Sequence, residues 1–210
     1  MTGKIKLSLH NHTTRYSDCS SLEPWELMAY AVRAKYDGVA ITEHCYQWTE
    51  NELKELKELA IRKGYCSEDF LLFSGQEVYC SNGHEGYHHA LVFGFRENIT
   101  YEPRLEDLCS LVHSEGGIVI LAHPLKHKDR IDNFWEYDAD GVEVLHSYQN
   151  SAEVLELLEA HEKEFAQIGS DDAHDITHIG FYCTLFPGWV KSKEDLVHAI
   201  RINIVKPYKM

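Results

Sequence analysis

Residues 118–124 read Ile118-Val119-Ile120-Leu121-Ala122-His123-Pro124. Five apolar side chains in succession leave neither face of a strand polar. Both faces then need a cover, as in a buried parallel strand of an α/β sheet. Gly116-Gly117 separates the run from the helical pattern before it, and His123-Pro124 ends it on an imidazole. In β/α folds the reacting groups collect beyond the carboxyl ends of the strands, so that histidine marks a place to look for chemistry.

Working outward, the same alternation repeats. Strands are predicted at 5–10, 38–42, 71–78, 90–95, 141–145 and 165–168. Helices are predicted at 22–35, 50–63, 105–115, 151–164 and 192–202. Pro24 suits the first turn of its helix and Gly64 the position just past the end of the next. Ser192 and Asp195 have capping-box spacing. Strand–helix alternation implies βαβ units and a parallel sheet, and the number of strands favours a closed or nearly closed β/α barrel. Residues 80–89 and 124–138 read as long loops, and residues 1–210 as a single domain.

The strand ends carry an unusual cargo. In order they present His10-Asn11-His12, Thr42-Glu43-His44, Gly75-Gln76-Glu77, Ala122-His123-Pro124, Leu145-His146-Ser147 and Gly169-Ser170-Asp171-Asp172-Ala173-His174, with His88-His89 just before a strand. Packing does not select this pattern, because buried polar groups cost free energy unless they are paired or bind metal. His10 and His12 share a face of extended chain and can serve one ion together, as can Asp172 and His174. Of His88 and His89, neighbours in extended chain, one faces the site and one faces away. His84, His113, His127, His161 and His198 read as surface or helix residues.

Composition narrows the function classes. Lys and Arg number 20 against 34 Asp and Glu, a formal net charge of -14. Such a field opposes an extended nucleic-acid face or an anionic membrane, although bound metal ions can reverse the sign inside a pocket. None of the six cysteines forms a C-x-x-C pair, and no secretory signal or membrane-spanning apolar run stands out. The expectation is a cytoplasmic protein with free, mostly buried thiols.

Taken together, Leu9-His10-Asn11-His12-Thr13, Tyr16-Ser17-Asp18, Ile41-Thr42-Glu43-His44, Gly75-Gln76-Glu77-Val78, His89-Ala90-Leu91-Val92-Phe93-Gly94, Ala122-His123-Pro124 and Gly169-Ser170-Asp171-Asp172-Ala173-His174 occur in the order of the motifs of the PHP (polymerase and histidinol phosphatase) family. Gly141-Val142-Glu143-Val144 is similar to a further strand of that family. The resemblance covers residues 7–180. It implies a distorted seven-stranded β/α barrel, of the TIM type, holding two or three divalent transition-metal ions, with Zn, Mn or Fe suited to mixed imidazole and carboxylate ligands.

Carried over residue by residue, the resemblance implies one ion held by His10, His12, Glu77 and Asp172. A second would be held by Glu77, His89 and His123, and a third by Asp18, His44 and His174. The extra aspartate leaves Asp171 as a competitor of Asp172, which has the usual D-x-H spacing. Asp18 stands where some members carry histidine. The implied activity is hydrolysis of a phosphate ester by a metal-activated water, with Glu77, Asp172 and His174 in catalytic roles and the leaving oxygen protonated from water or from His174. Arg15, Lys126 and Arg130 are candidate phosphate cations near the rim. A short chain favours a small phosphorylated substrate; histidinol phosphate, a nucleotide, a short oligonucleotide and a sugar phosphate all fit. Two other classes remain open: an amidohydrolase, whose barrel also begins H-x-H, and a non-catalytic metal-binding module. Oligomeric state is not legible.

Overall fold

The structure is a computed structural model that describes residues 3–44, 46–81, 87–126 and 130–210. The strands and helices run β1 (Lys4–Ser8), α1 (Pro24–Arg33), β2 (Gly38–Glu43), α2 (Glu50–Arg62), β3 (Leu71–Ser81), β4 (Tyr87–Phe93), α3 (Leu105–Ser114), β5 (Ile118–Leu121), β6 (Gly141–Leu145), α4 (Ser151–Ala160), β7 (Ala166–Gly169), β8 (Tyr182–Pro187), α5 (Lys193–Arg201) and β9 (Lys206–Lys209). Pro24 opens α1, Thr49 and Glu52 form a capping box at α2, and Ser192 and Asp195 form the expected one at α5.

One nine-stranded sheet runs β7-β6-β5-β4-β3-β2-β1-β8-β9. The seven strands expected are therefore corrected to nine. The wholly parallel sheet is corrected too: β3/β4, β4/β5, β1/β8 and β8/β9 pair antiparallel. The physical reason at β3/β4 is length: five residues separate the strands, too few for the crossover that a parallel partner needs. The segment expected as a loop at 80–89 supplies strand residues at both of its described ends. Residues 82–86 and 127–129, with His84 and His127, lie outside the described residues. The two added strands are β8, which has six residues, and β9, which reads Lys-Pro-Tyr-Lys.

The sheet curls until β7 meets β8. Gly169 N donates to Thr184 Oγ1 at 3.0 Å, and that hydroxyl donates back to Gly169 O at 2.9 Å. A glycine is required here, because a Cβ on residue 169 would lie 2.6 Å from Cys183 O. Beyond this seam, Asn11 bridges Ala173, with His12 N donating to Ala173 O at 2.9 Å. The result is a nearly closed barrel.

Strand β5 is buried throughout. Ile118 and Ile120 join Leu7, Phe93, Ile168, Phe186 and α5 residues Leu196 and Ile200 in one cluster. Val119 and Leu121 face the other way, among Leu108 and Val112 of α3. Alternate residues thus serve two covers, as the unbroken apolar run requires. Every strand running with β5 in parallel ends at one rim. Reversed β4 begins there, so His89 at its start reaches the same place as Glu77 near the end of β3. No helix among the described residues is long and apolar enough to cross a membrane.

Candidate metal centre

The centre begins with a spacer. Asn11, between the two histidines, donates its side-chain amide to Ser8 O at 3.2 Å and Ala40 O at 2.9 Å, while its backbone N donates to Thr42 Oγ1 at 3.1 Å. Pinned to β2, it turns His10 and His12 to the same side. Their Nε2 atoms lie 3.0 Å apart. His10 Nε2 is 3.3 Å from both Glu77 Oε1 and Asp172 Oδ1. His12 Nε2 is 3.2 Å from Glu77 Oε2 and 3.3 Å from Asp172 Oδ1.

Glu77 is the hub. Its Oε1 also meets His89 Nδ1 at 2.9 Å and His123 Nε2 at 3.2 Å, and its Oε2 meets His44 Nδ1 at 3.0 Å. The hairpin explains part of this: Tyr79 pairs with His89 and Glu77 with Leu91, so Glu77 and His89 are diagonal neighbours on one face. His88, on the other face, packs toward Tyr137.

Asp172 and His123 hold left-handed backbone, at φ 52° and 28°. Such conformations cost of order 1–3 kcal/mol in non-glycine residues and collect at functional sites. Hydrogen bonds distinguish the two aspartates. Asp171 accepts from Tyr36 Oη at 2.6 Å and from Gly180 N, Phe181 N and Tyr182 N at 2.8 to 3.1 Å. Asp172 faces the histidines, and its Oδ1 has no hydrogen-bond donor.

Donors about 2.1 Å from a shared ion lie about 3.0 Å apart at octahedral angles and about 3.4 Å apart at tetrahedral ones. The spacings of His10 and His12 from each other, from Glu77 and from Asp172 fall in that interval. The chemistry of the donor set, imidazole with carboxylate, fits a divalent transition metal. The gathered groups are His10/His12/Glu77, Glu77/His89/His123, His12/His44/His174 and His10/His123/His146. Asp18 is exposed and stands in none of them. Cys19 instead lies 3.1 Å from His44 Nε2. Lys126 Nζ reaches within 3.8 Å of Asp172 Oδ2. Arg15 is 58% exposed and pairs with Glu52 at 3.6 Å, and Arg130 pairs with Glu153 at 3.0 Å.

Behind these residues stands a layer that sequence reasoning did not assign. Glu143, on β6, accepts His10 Nδ1–H at 3.0 Å and His123 N–H at 2.8 Å, which leaves His10 Nε2 free to coordinate. Its signal was a lone charge inside an apolar strand. Glu43 accepts from Thr13 N at 3.0 Å, Ser17 Oγ at 2.5 Å and Trp48 Nε1 at 3.1 Å, and it fixes the loop that carries His12. Ser17 Oγ in turn lies 3.3 Å from His12 Nδ1.

Burial opposes charge at His10, but Asp172, Glu77 and Glu143 together hold its pKa well above the ordinary histidine value. Burial also opposes ionisation of Glu77 and Asp172, yet the facing imidazoles hold both well below the carboxylate range. Glu143 is held at about 2 by His10 and His146 against its own burial. Burial pushes His123 and His174 down to about 4, so both are neutral at pH 7. His174 Nδ1–H donates to Asp172 O at 3.0 Å, leaving a lone pair on Nε2. That arrangement suits a ligand better than an acid. The facing carboxylates hold both His10 and His12 toward the protonated form, and a metal ion must displace those protons. Metal binding at pH 7 is therefore expected to release protons and to weaken as pH falls. Calorimetric heats should differ between buffers of different ionisation enthalpy; equal heats would refute the displacement.

No family model matches the chain, and no curated protein does. Solved structures do. A two-domain protein from Bacteroides vulgatus, described as containing a PHP-like metal-dependent phosphoesterase, aligns with a TM-score of 0.71 at 16% identity over 99% of this chain; the chain spans 65% of that protein's length. A protein from Bifidobacterium adolescentis, described as a metal-dependent phosphoesterase, aligns at 0.61 and 16% identity over 94% of this chain and 96% of its own. An amidohydrolase from Chromobacterium violaceum aligns at 0.58 and 15% identity over 80% and 87%. At these identities the likeness is one of fold, and the fold is that of the PHP proteins.

Proposed function

We propose that this chain, built on the PHP fold, hydrolyses the phosphate ester of a small substrate with two or three divalent ions, Zn, Mn or Fe. The convergence of His10, His12, His44, His89 and His123 on the single buried carboxylate of Glu77 supports this reading most strongly. His10, His12, Glu77 and Asp172 hold one ion, and Glu77, His89 and His123 a second. His44 and His174 gather with His12 for a third, which Asp18 joins only by turning in from solvent.

Bound divalent ions acidify water and offset charge on phosphoryl oxygens. The chain does the rest. Glu143 fixes the His10 ring and thereby its coordinating nitrogen. Glu77 and Asp172 remain ionised, so the donor set keeps its negative charge. Lys126 supplies a cation beside Asp172 for the substrate, a task for which Arg15, turned toward Glu52, is poorly placed. His174 serves as a ligand, and the leaving oxygen takes its proton from water. The free cysteines Cys19, Cys66, Cys80, Cys109 and Cys183 fit a reducing cytoplasm, with residues 1–210 working as one domain.

The test is turnover of a generic aryl phosphate by purified protein with added manganese or zinc, beside His10→Ala and Asp172→Asn. Metal-dependent turnover that collapses in both variants supports the reading. An amide substrate forms the second arm: hydrolysis of amides but not phosphate esters would move the assignment to the amidohydrolases. Tight metal binding with hydrolysis of neither would leave a non-catalytic module.

A further inference from the structure

His146 follows β6 directly and its side chain is fully buried. It groups with His10 and His123 as if for an ion. We propose that His146 is not a metal ligand but a fixed hydrogen-bond donor to a phosphoryl oxygen of the substrate, beside Lys126. The oxyanion in this inference rests on the phosphoesterase reading.

A backbone amide selects the tautomer of His146. Tyr148 N–H donates to His146 Nδ1 at 3.2 Å. A histidine that binds an ion offers the lone pair of one nitrogen and keeps its hydrogen on the other. At His146 the Nδ1 lone pair is already taken by a backbone amide. The hydrogen of the neutral ring therefore sits on Nε2, the nitrogen that faces the cluster. A lone pair there would force a hydrogen on Nδ1 against Tyr148 N–H.

That Nε2 is buried and has no hydrogen-bond partner. Asp172 Oδ2 lies 3.6 Å away and Glu143 Oε2 3.8 Å away, both beyond an ordinary hydrogen bond. A buried donor left this way is costly, and native structures rarely keep one without a reason. Lys126 Nζ approaches the same Asp172 Oδ2 at 3.8 Å. Two donors thus flank one edge of the carboxylate. Tyr148 organises both: its backbone sets the His146 tautomer, and its ring lies 5.6 Å from the Lys126 ammonium. Its hydroxyl is in turn tied to His178 Nε2 at 3.0 Å.

The experiment compares wild type, His146→Gln and His146→Asn, all loaded with manganese, in calorimetric titrations with inorganic phosphate. A glutamine amide can place an N–H near the position of Nε2, whereas the shorter asparagine cannot. All three proteins are expected to hold the same amount of metal. The asparagine variant should bind phosphate about tenfold more weakly or worse, and the glutamine variant within about threefold of wild type. Three results overturn the proposal: metal lost from a folded asparagine variant, equal phosphate affinity in both variants, or no phosphate binding by wild type. Should the asparagine variant not fold, nitrogen spectra of the wild-type histidines with zinc bound decide. A protonated Nε2 at His146 is expected, and a metal-bound one sinks the idea. Turnover does not enter, so wild type that binds phosphate yet hydrolyses no ester overturns the phosphoesterase reading alone.

Discussion

Glu77→Gln is expected to lower metal-dependent turnover by at least about three orders of magnitude and to empty more than one metal position. The substitution keeps the size of the side chain and removes its charge. Oε1 and Oε2 serve different neighbours, His89 and His123 on one side and His44 on the other, while His10 and His12 take one oxygen each. No other carboxylate among the described residues faces so many imidazoles. Metal content measured by elemental analysis, on protein with an unchanged circular dichroism spectrum, is the deciding quantity. Retention of every ion in the variant would show that Glu77 does not join the positions.

The second large effect separates two adjacent residues. Asp172→Asn should abolish most metal-dependent turnover, by a factor on the order of a hundred or more, while the protein remains folded. Asp171→Ala should do the reverse. It removes the acceptor for Tyr36 and for three backbone N–H groups in a buried turn, and should cost about 3 kcal/mol of stability. Denaturant midpoints and turnover, measured on both variants, give the contrast. Loss of activity without loss of stability in Asp171→Ala would exchange the roles.

The sequence made the strand ends legible because they obey a simple rule: an apolar run followed by a polar residue at the same rim. Ile118–Leu121 ahead of His123 is the clearest case, and His10, Glu77 and Asp172 follow it. The reversal of β4 was hidden because its residues carry no mark of direction; only the missing helix between Val78 and Ala90 hinted at it. Strand β9 was hidden because Lys206–Lys209 is a short, largely polar segment at the sheet edge, and β8 because no α-helix separates Tyr182–Pro187 from β7 to complete the alternation. Glu43, Glu143 and Ser17 sat inside or beside recognised motifs, yet their roles depend on partners distant in the chain. Asp18 is a different case, since motif order placed it with His44 while its side chain is exposed. Between Asp171 and Asp172 the sequence offered only spacing, whereas the structure shows Asp171 held by Tyr36 and the 180–182 backbone.

The seam between β7 and β8 has a consequence for the life of the protein. His10 and His12 follow β1, which pairs with β8, while Asp172 and His174 follow β7 on the other side of the gap. These edges are joined by Gly169 with Thr184, by the Asn11–Ala173 bridge and by the Asp171 carboxylate with the 180–182 backbone. An ion held by His10, His12 and Asp172 would then be a clasp across the opening. Binding to the folded form alone adds stability through mass action. A chain that loses its ions should open more readily at this seam and meet proteases there. Its half-life would then follow the supply of metal, so that scarcity removes the protein itself along with its activity.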